Sequence, residues 1–290
     1  YEDYELCWNE WKNRYFRWWS YTIRIVCEQL SDKDAKTVLN AFLNIFNKSK
    51  LEFPEKEDSY FEEKKISWNN QLENIKKKII SDDYDVISFD LFDTLIVRPV
   101  LNPDDVMEVV VHDTNIQLSK KNVIKSLRKL AEKKARKNIT NKYPQYEDVN
   151  LSEIYNVLCD EFGVSKSVCE KLMLQEVEVE IEFAKRRNIG YELFTLAQEC
   201  GKRVFITSDM YLDESTIKRI LNKNGYYNCS LLLSSKERML KATGHLFEKL
   251  IDTSNMLNAK IIHIGDNWES DYIIPKRYGI TSFFLPKTKD

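Results

Sequence analysis

Four widely separated stretches of the sequence carry side chains that could share one reaction. The first ends an apolar run in Asp90, the second ends in Ser208, the third contributes Lys241, and the fourth contributes Asp266 and Asp271. A carboxylate can attack phosphorus and form an aspartyl-phosphate, and carboxylate oxygens are ligands that Mg²⁺ prefers. A lysine and a metal ion together can neutralise charge on phosphoryl oxygens. The four stretches therefore indicate Mg²⁺-dependent phosphoryl transfer, if the fold brings them together.

The elements that must position these side chains are predicted strands. Short runs rich in apolar, β-branched and aromatic residues occupy positions 86–89, 202–209, 230–234, 260–264 and 281–285. Helical patterns separate these runs, and one of them, 237–251, contains Lys241. Strands alternating with helices imply a parallel sheet. Because open parallel sheets bind ligands at the carboxyl ends of their strands, we expect the reactive side chains to meet at one edge.

The remaining chain predicts three regions around a three-layer Rossmann-like α/β core. The core takes residues 81–100 and 190–290, a helical cap takes 101–189 after the first strand, and an N-terminal helical appendage takes 1–80. The appendage opens with aromatic and apolar residues at spacings of three and four, typical of one helix face: Tyr4, Trp8, Trp11, Tyr15, Trp18, Thr22 and Ile25. This face could pack on its own protein, or contact a fused domain or a partner subunit.

Composition excludes some functions. The 290 residues carry a formal net charge of −2, and acids are mixed with bases throughout, which argues against nucleic-acid binding. No apolar stretch reaches the length of a membrane span. The six cysteines are scattered without a CxxC pair, which argues against a zinc site and fits reduced thiols in a cytoplasm.

With these residues in view, the sequence resembles the haloacid dehalogenase (HAD) superfamily of hydrolases from about Tyr84 onward. The four motifs of that family are matched in order by FDLFDTL, ITSDMYL, KATGHLF and IGDNWESD. The resemblance implies Asp90 as nucleophile, Ser208 or Thr207 as the phosphate-binding hydroxyl, and Lys241 as the charge-neutralising amine. It implies that Asp90, Asp266 and Asp271 hold Mg²⁺.

The resemblance extends to a narrower subgroup. The run DTLIVRPVLNPDDV, with SDMYL and KATGHLF, is similar to HAD proteins joined to glycosyltransferases of surface-polysaccharide synthesis. That likeness implies a phosphorylated small molecule, such as a sugar phosphate, as substrate. Thr94 and Arg98 are further candidates for contacts with the phosphoryl group or an anionic substrate, although Arg98 could equally form an ordinary ion pair.

One position departs from the family's pattern. Phosphatases of the family carry a second Asp two residues after the nucleophile, as general acid and base, and this chain has Phe92 there. General acid–base help is typically worth about 10²–10⁴-fold, so turnover is expected to be slow. The backbone carbonyl of Phe92 could still bind the metal, as the carbonyl at that position does in the family. Asp93 is one residue out of phase, and we interpret it as a turn acid that binds backbone N–H groups.

The departure leaves three hypotheses open. The first is a Mg²⁺-dependent phosphatase. The second is a dehalogenase-like hydrolase, since those family members also lack the second Asp but need no metal. The third is a catalytically weak module that binds a phosphorylated ligand or partner proteins.

The other titratable candidates are weaker. The histidines, His112, His245 and His263, show no metal-ligand spacing, and His263 is predicted to be a buried, hydrogen-bonded strand residue. The acids Glu178, Glu180 and Glu182 are interpreted as the solvated face of a cap helix. Asp209 could cap the helix that follows it or orient Lys241.

Overall fold

A computed structural model describes residues 70–100, 103–113, 118–254 and 259–287. The aromatic pattern of positions 4–25, most of the predicted N-terminal appendage, and His112 as a side chain lie outside the described residues. The described part begins within a helix, here α1, which covers 70–80 and buries Ile75 and Ile79. None of the described helices is both long and apolar enough to cross a membrane.

The described residues form a parallel five-stranded sheet centred on the strand before Asp90. This strand is β1 (Val86–Phe89), and its neighbours are β4 (Arg203–Ser208) and β6 (Ile261–Gly265). The outer strands are β5 (Ser230–Leu233) and β7 (Thr281–Phe284), giving the order β5-β4-β1-β6-β7. In the register, Phe89 lies opposite both Ile206 and Ile264, so the strands beside β1 end level with it. The predicted α/β fold with a parallel sheet is confirmed.

Alternating residues of the sheet enter two apolar clusters, one on each face, as the period of two along a strand requires. On one face Val86 packs with Leu246, Phe247 and Leu250 of helix α9 (His245–Thr253). On the other face Ile87 and Phe89 pack among buried residues of α1, α6 (Asn188–Glu199) and α7 (Glu214–Lys223). Helices therefore cover both faces and exclude water from the sheet, which makes the core three-layered.

Among the described residues, four α-helices lie between β1 and α6. They are α2 (Val106–Asp113), α3 (Leu118–Lys142), α4 (Leu151–Asp160) and α5 (Lys166–Phe183), preceded by a 3₁₀ turn at Pro103–Asp105. A capping box starts α4, because the Asn150 side chain accepts from the Glu153 N–H while the Glu153 carboxylate accepts from the Asn150 N–H.

Two predictions about local structure are wrong. We expected α5 to continue to position 187 and no strand in this region, but β3 (Lys185–Arg186) pairs antiparallel with β2 (Ile96–Val97). The reason is tertiary, because a two-residue strand has too little pattern to be recognised without its partner. This small sheet joins the chain entering the four helices to the chain leaving them.

The second wrong prediction concerns Lys241, which does not lie on a helix. A short helix, α8 (Ser234–Glu237), is followed by Arg238 in the left-handed region, and the turn containing Lys241 runs on to Gly244 at φ 93°. A side chain at position 244 would have a Cβ only 2.1 Å from the Tyr278 hydroxyl, so this turn requires glycine. The remaining short elements are a π-helical turn at Trp268–Ile273 and helix α10 (Ile274–Arg277).

Candidate active site

The carboxyl ends of β1, β4 and β6 place Asp90 at the centre of the predicted site. Asp90 directly follows β1 and is 7% exposed. The Lys241 ammonium lies 2.5 Å from its Oδ1, and the Ser208 hydroxyl donates to the same oxygen at 3.2 Å. The structure thus brings together residues that are 118 and 151 positions apart from Asp90 in the chain.

Asp271 is the second partner of the Lys241 ammonium. Lys241 Nζ lies 2.6 Å from Asp271 Oδ1, and the Asn267 N–H donates to Asp271 Oδ2 at 2.9 Å. The strand residue before this acidic loop must be small, because a Cβ on Gly265 would lie 2.5 Å from Asp271 Cγ. Gly265 therefore allows Asp271 to fold back against the end of β6.

Asp266 completes a group of three buried carboxylates. Each of Asp90, Asp266 and Asp271 offers one oxygen, and these three oxygens lie within 4.8 Å of one another. Buried carboxylates at such separations repel each other unless a cation lies among them. An all-oxygen donor set of this kind fits Mg²⁺, which prefers hard ligands and retains part of its water shell. The residues present therefore fit the metal that the sequence predicts.

Burial and neighbouring charge act differently on the three acids. Burial raises the pKa of Asp90 well above its usual value, with Lys241 opposing the shift, and burial also raises the pKa of Asp266. Burial also opposes ionisation of Asp271, but Lys241 and His263 outweigh it and hold the pKa of Asp271 well below its usual range. Despite the burial of Lys241, the surrounding carboxylates raise its pKa. Asp271 and Lys241 are thus a charged pair at neutral pH.

A chain of buried hydrogen bonds supports Asp271 from behind. Thr207 Oγ1 lies 2.9 Å from Ser88 Oγ, which lies 2.9 Å from His263 Nδ1, and His263 Nε2 lies 3.3 Å from Asp271 Oδ1. Burial lowers the pKa of His263, which favours the neutral ring. A neutral ring that donates from Nε2 to Asp271 must accept at Nδ1 from Ser88, which fixes the direction of the chain. The prediction of His263 as a buried, hydrogen-bonded side chain agrees with its exposure of 0%.

The hydroxyls of the two threonines predicted to contact phosphate lie against other side chains. Thr207 is fully buried with its hydroxyl against Ser88, and Thr94 is fully buried with its hydroxyl 3.1 Å from Asp266 Oδ1. Thr207 alternates with Ser208 along β4, so its side chain points away from the direction of Ser208. Of the two hydroxyls proposed for phosphate binding, Ser208 is the one beside Asp90.

The turn after Asp90 presents Asp93 to a lysine that sequence reasoning missed. Asp93 adopts φ 60° in a tight turn closed by its own N–H to the Ile96 carbonyl at 2.6 Å. Its carboxylate lies 3.2 Å from the Lys287 ammonium, which also lies 3.0 Å from Asp266 Oδ2. The turn was predicted, but the carboxylate contacts Lys287 instead of the backbone N–H groups we expected. No motif marks Lys287, because it lies beyond the last strand.

Phe92 and Arg98 form a stacked pair at the wall of the cleft. The Arg98 guanidinium lies 3.8 Å from the centre of the Phe92 ring, and Arg98 Nε lies 3.0 Å from Glu180 Oε2 without hydrogen-bond geometry. Glu180 is 1% exposed, so its interpretation as part of a solvated face is wrong. Its neighbours Glu178 and Glu182 are exposed, as predicted. Successive residues of a helix are rotated by about 100° around its axis, so Glu180 lies on the side of α5 opposite to Glu178 and Glu182.

The cleft above these residues has a volume of about 850 Å³ and extends between the sheet edge and helices α2, α3 and α5. Its far wall includes a second buried charge pair, in which Arg128 donates to both carboxylate oxygens of Glu176 at 2.7 and 3.1 Å. The Tyr155 hydroxyl donates to Glu176 at 2.6 Å. Neither Arg128 nor Glu176 was singled out from the sequence, since both lie in charged helical stretches without a motif.

The role of Asp209, which the sequence left open, follows from its contact with Lys241. Asp209 accepts the backbone N–H of Lys241 at 2.9 Å, so it holds the lysine's turn, while Asp213 caps the helix that follows. His245 begins α9, is exposed, and pairs with the Glu147 carboxylate at 2.6 Å, not with Asp90, Asp266 or Asp271.

No family model matches the sequence, and no curated protein matches it. Among solved structures it is similar to YfnB of Bacillus subtilis, described as a HAD-hydrolase bound to magnesium (TM-score 0.48, 16% identity, 70% of this chain and 89% of that one). It is also similar to the L-2-haloacid dehalogenase of Xanthobacter autotrophicus (0.47, 10%, 70% and 77%).

A third similar structure, from Clostridium difficile, is described as a phosphatase (0.39, 15%, 70% and 86%). Each of the three structures covers 70% of this chain at 10–16% identity.

Proposed function

We propose that this protein is a HAD-type hydrolase that cleaves phosphate monoesters through an aspartyl-phosphate on Asp90, with Mg²⁺ as cofactor. The observation that carries the proposal is the group of three buried carboxylates, Asp90, Asp266 and Asp271, within 4.8 Å of one another, with the Lys241 ammonium against two of them. Nothing about folding requires such a cluster at a sheet edge, because burying like charges costs stability. Such clusters of perturbed groups in a cleft are typical of functional sites.

In the proposed reaction a carboxylate oxygen of Asp90 forms a bond to phosphorus while the bond from phosphorus to the leaving oxygen breaks. Lys241 Nζ lies 2.5 Å from the nucleophile and would neutralise charge on the phosphoryl group, and the Ser208 hydroxyl would donate to a phosphoryl oxygen. Water then attacks phosphorus, inorganic phosphate leaves, and the Asp90 carboxylate is regenerated. Asp209 and the His263 chain would keep Lys241 and Asp271 in place.

The metal would be held by Asp90, Asp266 and the backbone carbonyl of Phe92, with Asp271 as a further acid. When bound it supplies positive charge for the phosphoryl oxygens. Asp271 already uses Oδ1 for Lys241 and His263 and Oδ2 for the Asn267 N–H. We therefore expect Asp271 to contribute to the metal mainly by charge and through a water molecule.

Phe92 leaves the leaving group without a side-chain acid at the position where the family's phosphatases have one. The leaving oxygen must then take its proton from water, so we propose that turnover is slow for alkyl phosphates and faster for phosphates with acidic leaving groups. Arg98, stacked on Phe92, is a positive group beside that position.

The proposed substrate is a phosphorylated small molecule, such as a sugar phosphate of surface-polysaccharide synthesis, which the narrower sequence resemblance suggests. A cleft of about 850 Å³ is ample for a molecule of that size. We also propose a reducing compartment such as the cytoplasm, in keeping with free thiols at Cys159, Cys169, Cys200 and Cys229.

The test is a screen of phosphorylated metabolites and of p-nitrophenyl phosphate, with and without Mg²⁺. Phosphate release that needs Mg²⁺ and is lost in Asp90→Asn supports the proposal. Asp252→Asn, an exposed acid on α9, is the matched control and should leave turnover unchanged. Absence of phosphate release in folded protein that binds Mn²⁺ would favour a ligand-binding module instead.

A dehalogenase-like hydrolase is the second candidate, and two observations favour it. Phe92 replaces the second Asp, and the Lys287 ammonium lies 3.0 Å from Asp266, where a metal-free site would need positive charge. Halide release from 2-haloacids in the presence of EDTA would support this candidate. The three-carboxylate cluster argues for the phosphatase, because a metal-free reaction gives Asp266 and Asp271 no shared cation.

A further inference from the structure

Lys287 is a second ammonium at the carboxylate cluster, and it contacts different acids from Lys241. Its Nζ lies 3.0 Å from Asp266 Oδ2 and 3.2 Å from Asp93 Oδ2. Lys241 serves Asp90 and Asp271. Each of the three clustered carboxylates therefore already has an ammonium partner.

Hydrogen bonds to the backbone of the two residues before Lys287 hold this lysine at the cluster. The Leu285 N–H donates to the Gly265 carbonyl at 2.8 Å, which continues the pairing of β7 with β6. The buried Arg187 side chain donates from one nitrogen to the Pro286 carbonyl at 2.6 Å and from another to the Asp93 carbonyl. The same guanidinium thus ties the segment that carries Lys287 to the turn that carries Asp93.

Charge around the cluster limits how strongly it can attract a divalent ion. The ammonium lies 3.0 Å from Asp266 Oδ2, an oxygen of an acid that is also proposed to bind the metal. It also places a like charge within a few ångströms of any cation held by Asp266. Removing such a charge should change metal affinity by on the order of tenfold or more, because charges a few ångströms apart repel strongly where water screens them incompletely.

We propose that Lys287 is a tethered cation that competes with the divalent metal for Asp266 and so sets a weak metal affinity for this site. The inference rests on the proposed function, because it takes the cluster to be a metal site. In the metal-free protein Lys287 keeps Asp266 and Asp93 paired and the site assembled. When the metal binds, Lys287 gives up its contact with Asp266 Oδ2 and retains Asp93.

The experiment measures Mn²⁺ binding to the full chain by calorimetry and by the electron paramagnetic resonance signal of the free ion. Lys287→Met should bind Mn²⁺ at least about tenfold more tightly than the wild type. Lys287→Arg keeps the charge and should stay within about threefold of the wild type, and Lys287→Gln repeats the neutral variant with a polar side chain. Lys218→Met is the matched control, since Lys218 is an exposed lysine ion-paired with Glu214 on α7.

The outcomes separate this inference from the proposed function. Mn²⁺ binding that is unchanged or weaker in both neutral variants overturns the inference, because Lys287 would then only order Asp266, and it leaves the metal-dependent function intact. An absence of Mn²⁺ binding in every variant overturns both. Tighter binding that disappears when Asp266→Asn is added supports the inference and assigns the effect to this acid.

Discussion

Placing a carboxylate at position 92, by Phe92→Asp, should increase phosphatase activity by much less than the about 10²–10⁴-fold that a general acid typically contributes. The Arg98 guanidinium lies 3.8 Å from the centre of the Phe92 ring. In Phe92→Asp the new carboxylate would lie beside that guanidinium. A positive neighbour favours the ionised form of an acid, and an ionised acid cannot protonate a leaving group.

The magnitude follows from the separation of the two groups. Unit charges about 4 Å apart interact by about 1 kcal/mol in water and about 4 kcal/mol at an effective dielectric constant of 20. At about 1.4 kcal/mol per unit, this lowers the pKa of the new carboxyl by about 1–3 units from an ordinary Asp value of about 3.9. General acids work best with a pKa near the working pH. We therefore expect Phe92→Asp to speed hydrolysis of an alkyl phosphate by less than about tenfold.

The companion variant removes the guanidinium together with its partner. Replacing Arg98 alone would leave buried Glu180 unpaired, at a cost of about 3–5 kcal/mol, so the background is Arg98→Gln with Glu180→Gln. In that background Phe92→Asp should exceed the single variant by about 10–100-fold on an alkyl phosphate. On p-nitrophenyl phosphate, whose leaving group needs no acid, the two should differ by less than threefold.

The assay is phosphate release at pH 7 with saturating Mg²⁺, and the comparison between the two Asp variants does not require a fast wild type. Phe92→Asn in both backgrounds controls for loss of the aromatic ring. A gain of about 10²–10⁴-fold from Phe92→Asp alone would refute the reasoning, because Arg98 would then not keep the acid at position 92 ionised.

Further predictions concern stability and reactivity. Asp213→Ala should destabilise the protein by about 0.5–2 kcal/mol through loss of the α7 cap, and Asp213→Asn should retain most of it. Burial opposes ionisation of Asp213, but hydrogen bonds from Thr216 and Ser215 outweigh it and lower its pKa. The difference in free energy of unfolding between Asp213→Ala and wild type, measured in urea, should therefore be full above about pH 5 and shrink as pH falls through that lowered pKa. His263→Phe removes one hydrogen bond from Ser88, which keeps Thr207, and one from Asp271, which keeps Lys241, so it should cost about 0.5–1.5 kcal/mol for each bond lost, measured by urea denaturation. Gly265→Ala should weaken Mn²⁺ binding while the protein still folds, because the new Cβ would lie 2.5 Å from Asp271 Cγ and displace that acid; unchanged binding would contradict this. Burial raises the pKa of Cys169 to about 11, so it should react with iodoacetamide at pH 8 far more slowly than it does in the unfolded chain, as followed by mass spectrometry.

The sequence by itself determined the sheet and the identity of its reactive residues. The strands are short apolar runs bounded by glycines and polar residues, and such local patterns are visible without a partner. Because parallel strands place their carboxyl ends at one edge, Asp90, Ser208 and Asp266 could be assigned to one site from their order alone. The apolar strand around His263 likewise indicated that this residue is buried.

Only the tertiary structure decided what surrounds that site. Lys287 and the buried pair Arg128–Glu176 carry no motif. Lys287 contacts Asp266, 21 positions away in the chain, and Arg128 contacts Glu176, 48 positions away. Glu180 was misread because helical spacing gives the faces of a helix but not which face meets Arg98. The two-residue strands β2 and β3 exist only as a pair, since neither has enough residues to form without the other. Local pattern fixes elements, whereas the pairing of charges is fixed by which distant segments the fold places in contact.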